Sequence, residues 1–141
     1  MTTAYSQPSQ AKQQSSRFYV VFQPCGSTAG WWKYFIDNNF GHTLIVKEED
    51  NGNLIVLDRH QDILEITAYP KTQKQTLLNT LGKGGRILVV DRPLGFKSPW
   101  GLFLCVQSVM AVLGINDFLL TPKQLYKRLI YKYKARSYDN G

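Results

Sequence analysis

Two thiols and two imidazoles are the reactive groups of this chain: Cys25, Cys105, His42 and His60. A thiolate is a strong nucleophile, but a free cysteine, with a pKa of about 8.5, is mostly protonated at neutral pH. A neighbouring imidazole can take that proton, and a third polar group then orients the ring. A helix N-terminus adds roughly half a positive charge that favours the anion. Such a design asks for Cys at the start of a buried helix and His on a strand packed against it. Cys105 lies in an apolar helical segment and His42 begins a strand-like run, so these two are the candidate catalytic pair. His60 or Asp58, from the neighbouring strand, is the candidate orienting group. Cys25 sits in a Pro-Cys-Gly loop and has no such setting.

A plainer account of Cys105 competes with this one. Free cysteine is among the most buried residue types, and Leu104 and Val106 flank Cys105. The helix start also matters. A helix capped by Ser98 and begun at Pro99 puts Cys105 in the second turn, where the dipole helps little. A start at 102–104 brings the sulfur into the first turn.

Other chemistry is excluded by spacing. GKGGR (82–86) lacks the Lys-Ser/Thr that opens the helix of a phosphate-binding loop, and no Gly-x-Ser-x-Gly elbow is present. Asp58, Asp62 and Glu65 also suit the solvated face of a hairpin. Two Cys and two His, widely separated, give no zinc-ligand spacing and no disulfide framework, so neither a metal nor any cofactor is expected.

The elements that must position these groups follow from the pattern. FYVVF (18–22) has the make-up of a buried strand. Trp31, Trp32, Phe35 and Ile36 suit a short helix that ends by Asn38-Asn39. His42 to Glu48 and Leu54 to Arg59 are strands joined through Asp50-Asn51-Gly52, a three-residue loop with Gly52 left-handed. Pairing Glu49 with Asn53 sets His42 opposite His60, whereas a two-residue loop sets it opposite Gln61. Ile63 to Tyr69 is a third strand, ending at Pro70. A polar helix spans Lys71 to Leu81, RILVVD (86–91) is another buried strand, and Leu102 to Leu113 is the most apolar helix. Gly114 and Ile115 suit its C-terminal cap. Thr121-Pro122-Lys123-Gln124 begins the last helix with an N-cap, a proline at the first position and a capping-box partner. Without regular β-α alternation, the fold class is α+β with an antiparallel meander.

Composition sets the remaining bounds. At 141 residues and 43% hydrophobic, the chain can bury one core. No run reaches the roughly 18 apolar residues of a membrane span, and the first sixteen residues do not resemble a secretion signal. The net charge of +7 is unevenly spread. Residues 17–120 hold ten Lys/Arg against nine Asp/Glu, whereas 121–141 hold six against Asp139 alone. That argues against a nucleic-acid-binding body and confines any acidic or phosphate-bearing partner to a basic C-terminal tail. The expected organisation is a disordered polar tail over 1–16, a domain over 17–130, and a basic tail over 131–141.

The pattern resembles a known group. Phe40-Gly41-His42 at a strand start, then the strand GRILVV, then a Cys-led helix, is similar to the circularly permuted papain-like fold. That group includes permuted NlpC-like cell-wall peptidases and lecithin retinol acyltransferase-like enzymes, in which His precedes Cys. More narrowly, Cys105-Val106-x-x-Val109-x-x-x-Leu113-Gly114-Ile115 followed by Thr121-Pro122-x-Gln124-Leu125-Tyr126 resembles small uncharacterised proteins of tailed bacteriophages. The resemblance implies an antiparallel sheet packed on a central Cys-bearing helix, and cysteine hydrolase or acyltransferase chemistry on amides or esters, peptidoglycan peptides among them. It also implies residence in a virion or in the cytoplasm of an infected cell, with the two tails binding other virion proteins. One departure favours a second expectation, an inactive papain-like structural component of the virion. Leu104 stands where those relatives often carry an Asn that can cap the helix or stabilise an oxyanion.

Overall fold

A run as apolar as Phe18–Phe22 can be buried on both faces only near the middle of a sheet with layers above and below. That is its position in the computed structural model, which describes residues 15–24, 40–60, 63–93 and 105–139. Strand β1 (Ser15–Gln23) pairs with β2 (His42–Glu48) on one side and β5 (Arg86–Pro93) on the other. Strands β3 (Leu54–His60) and β4 (Ile63–Tyr69) extend the sheet beyond β2. A short β6 (Arg136–Ser137) adds to β5. The order is β4-β3-β2-β1-β5-β6, and every pair is antiparallel. With helices α1 (Lys74–Leu81), α2 (Cys105–Leu113) and α3 (Pro122–Tyr131), the architecture is α+β, as the element pattern requires.

Strand alternation sorts the core into two layers. Phe18, Val20, Phe22, Ile45, Leu88 and Val90 pack with Val106, Val109, Met110 and Leu113 of α2 and with Leu125 and Leu129 of α3. Tyr19, Val21, Leu44, Val46, Leu54 and Val56 face the other way and meet Leu78 of α1. The sheet thus holds helices on both faces, and α2 rests chiefly on β2 and β3.

Local chemistry sets the ends of these elements. The β2–β3 loop is the three-residue form: Glu49 N–H donates to Asn53 O at 2.8 Å, and Gly52 takes φ +87°. The ladder runs from Glu48↔Leu54 to Ile45↔Leu57, and beyond it the His42 and His60 rings come within 5.0 Å of each other at the same end of the two strands. Helix α2 closes with Gly114 N–H on Ala111 O at 3.2 Å and Ile115 N–H on Met110 O at 3.0 Å, the paired bonds of a Schellman cap. Helix α3 has the full capping box between Thr121 and Gln124, with Pro122 at its first turn. Before β5 the chain runs against β1, and a Cβ on Gly85 would lie 1.9 Å from Phe22 O.

Three features differ from the sequence-based expectation. Lys71–Gln73 forms a 3-10 turn, and the α-helix proper begins at Lys74. Ser15 and Ser16, assigned to the polar tail, pair with Pro93 and Arg92 in the sheet. Arg136 and Ser137, assigned to the basic tail, pair with Val89 and Leu88. The physical reason is common to both ends: backbone N–H and C=O groups pair whatever side chains they carry, so composition does not register them. The charges there are engaged as well. Arg17 and Arg136 both meet Asp91 at 3.0 Å, and Lys132 meets Asp117 at 3.0 Å. The expected helix at Trp31–Ile36, the Cys25 turn, residues 102–104 of the expected apolar helix and residues 1–14 lie outside the described residues. Among the described residues, no helix is long and apolar enough to cross a membrane.

Candidate active site

The start of β2 is held firmly. Gly41 N–H donates to Gln23 O at 2.8 Å, and His42 pairs with Gln23 across the ladder. Phe40, just before, is buried between Phe22 and Tyr126, with ring centroids 5.9 and 5.1 Å away. Arg86 lies over the Phe40 and Tyr126 rings and donates to the Tyr126 hydroxyl at 3.2 Å. An aromatic wedge on one side and the β1 backbone on the other therefore fix where the His42 ring emerges.

That ring is where the candidate residues converge. His42 Nε2 lies 2.6 Å from Asp58 Oδ1. The second oxygen of the same carboxylate is 2.8 Å from His60 Nε2. The two imidazoles stack with centroids 5.0 Å apart and planes 17° from parallel. Cys105, a partly buried free thiol that opens α2, is the other group that acts on the His42 ring and raises its pKa. All four residues named from the sequence are thus brought together, and they divide into roles. Asp58 touches His42 directly, whereas His60 reaches it by stacking and through the shared carboxylate.

The electrostatics follow from that packing. Burial disfavours charge on His42, but the hydrogen bonds to Asp58 and Cys105 outweigh it and raise the imidazole from 6.5 to about 9. Burial likewise pushes Asp58 up, yet His42 and then His60 hold it below the ordinary carboxylate value. At neutral pH the ring is therefore cationic and paired at Nε2 with the Asp58 carboxylate. Thiol, imidazole and carboxylate are the group types that nucleophilic acyl transfer uses.

Asp58 carried two readings in the sequence, solvated hairpin face and orienting group, and nothing local separates them. Only the folded structure does so, because it brings the Asp58 carboxylate to the Nε2 edge of the imidazole. Asp58 and the two imidazoles also form a cluster whose donor atoms all lie within 4.8 Å of one another. No protein-family model matches the chain, and neither a curated protein nor a solved structure matches it.

Proposed function

We propose that this protein is a cysteine hydrolase or acyltransferase of the circularly permuted papain-like type, with Cys105 as nucleophile, His42 as acid and base, and Asp58 as the orienting carboxylate. The observation that carries the reading is the His42 ring, paired with Asp58 at 2.6 Å and acted on by the Cys105 thiol of the helix packed against β2. Support comes also from chain order, since the His-bearing β2 precedes the Cys-bearing α2 and the two pack together. The thiolate of the Cys105–His42 pair attacks the acyl carbon of an amide or ester and forms a C–S bond. The imidazolium N–H then passes its proton to the leaving nitrogen or oxygen as the old bond breaks, leaving a thioester and neutral His42. The neutral ring takes a proton from water, or from an acceptor alcohol or amine, as that group attacks the thioester. Thiolate and imidazolium are thereby restored. Asp58 holds the Nε2–H throughout, so the ring keeps one orientation through both steps. The likeness of the segment from Cys105 to Tyr126 to phage proteins points to bacterial cell-wall peptides as the amide substrates, and to a virion or an infected cell as the setting.

The test is the rate of Cys105 alkylation by iodoacetamide at about pH 7, read by peptide mass, with Cys25 as internal reference. In His42→Ala the Cys105 rate should fall roughly tenfold or more, because the cation that stabilises the thiolate is gone. Asp58→Asn should lower it by a smaller factor, and Cys25 should not change. Equal Cys105 rates in wild type and His42→Ala would sink the catalytic reading and leave an inactive papain-like scaffold.

A further inference from the structure

The same sheet end carries a second arrangement that thiol chemistry does not use. We propose that His42, Asp58 and His60 form a binding site for a borderline divalent transition ion of the zinc class, held by the two Nε2 atoms and the Asp58 carboxylate. Three donors from three residues sit on two adjacent strands, with every donor atom within 4.8 Å of the others. The ends of β2 and β3 supply this preorganisation, since Asp58 already meets the Nε2 of His42 at 2.6 Å and that of His60 at 2.8 Å. The two rings lie 5.0 Å apart, and each reaches one oxygen of the same carboxylate.

The donor set selects the ion. Two imidazoles and one carboxylate suit zinc, copper or nickel, whereas calcium and magnesium demand oxygen ligands in greater number. Fit requires a small adjustment. Donors on a tetrahedral zinc, with bonds near 2.0–2.1 Å, stand about 3.3 Å apart. The present N···O contacts, 2.6 and 2.8 Å, go to the two different oxygens of Asp58, so the carboxylate must turn and move out by about half an ångström for one ion to reach all three groups. The His60 side chain, 57% exposed, is free to follow it. The ion takes the place of the N–H hydrogens that now point at Asp58, and water completes its coordination. Cys105 is not among the three donors of the cluster. An ion on Nε2 would leave the His42 ring unable to exchange its Nδ1 proton and would stop acyl transfer. That consequence rests on the proposed function, while binding itself does not.

The experiment titrates Zn²⁺ into the full-length protein against a chromophoric chelator and records Co²⁺ spectra of the same variants. One ion per chain is expected in wild type, Cys105→Ser and Cys25→Ser. Affinity should drop by about 100-fold in His60→Ala, His60→Gln and Asp58→Ala, at least the loss that follows from removing an outer partner of a metal ligand. The cobalt spectrum should lack a thiolate charge-transfer band. The site is overturned by any of three results: wild type takes up no zinc, the His60 variants bind like wild type, or Cys105→Ser abolishes binding. Two His60 variants are used because that side chain lies at the surface, so lost affinity cannot be blamed on a collapsed core.

Discussion

At the scale of single residues, carboxylates show how one side-chain type is given different work by its neighbours. Asp58 is held ionised between two imidazoles and so can anchor a catalytic ring. Glu48, at the far end of β2, is engaged differently. Tyr19 Oη donates to its Oε2 at 2.6 Å and Lys74 Nζ at 3.1 Å, tying α1 to the sheet. Burial pushes the Glu48 carboxyl up, but those two donors hold it below 4.5 overall. A carboxylate lowered in the folded state adds stability above its unfolded pKa and loses it as pH falls through the folded value. Wild type should therefore be more stable than Glu48→Gln by about 1 kcal/mol at pH 7, with the difference fading toward about pH 2. Urea unfolding of both proteins across that range checks the sign. A gap that widened in acid would show that Glu48 is not the stabilised anion described here.

At the scale of elements, close approach matters more than propensity. The turn into β5 brings Gly85 against the β1 carbonyl of Phe22, where an added Cβ would sit at 1.9 Å. Gly85→Ala forces either strand to retreat and should cost roughly 3 kcal/mol, the range of backbone strain at a packed site. Gly84→Ala is the comparison, because a Cβ there meets only Pro24 Cγ at 3.7 Å and the cost is confined to its φ of +74°. A urea midpoint that falls further for Gly84→Ala than for Gly85→Ala would refute the clash. Other boundaries, such as the Thr121 capping box and the Gly114 cap, are written in residue types whose hydrogen bonding is local. These were legible in sequence for that reason.

At the scale of the whole molecule, the C-terminal segment closes the sheet rather than trailing from it. Arg136 and Ser137 pair with β5, Tyr138 N–H donates to Ile87 O at 2.9 Å, and the Tyr138 ring meets Tyr19 edge-on at 5.5 Å. The site lies at the end of β2 and β3, on the other side of β1. Deleting residues 136–141 should therefore lower stability by about 2 kcal/mol through the lost strand and aromatic contact. The His42 dependence of Cys105 alkylation should persist. Chemical denaturation and peptide-mass labelling on the truncated chain test both halves. An unchanged unfolding midpoint would return these residues to the status of a tail.

The sequence by itself determined β1 to β5, α1 to α3, the three-residue loop and the caps, because alternation, turn chemistry and capping are interactions between residues a few positions apart. From that loop it also reached the closeness of His42 and His60, whose rings lie 5.0 Å apart. It named Cys105 and His42 as partners although 63 positions separate them. It left Asp58 and His60 as equals, because either can orient an imidazole and both lie on the same strand. Only the tertiary structure decided which carboxylate oxygen meets which ring, and only there do two histidines and an aspartate without ligand spacing become a cluster of metal donors. The ends of the chain were decided there too. Strand addition at β6 rests on backbone hydrogen bonds to a partner more than forty residues away, and those bonds are the same for a basic segment as for an apolar one.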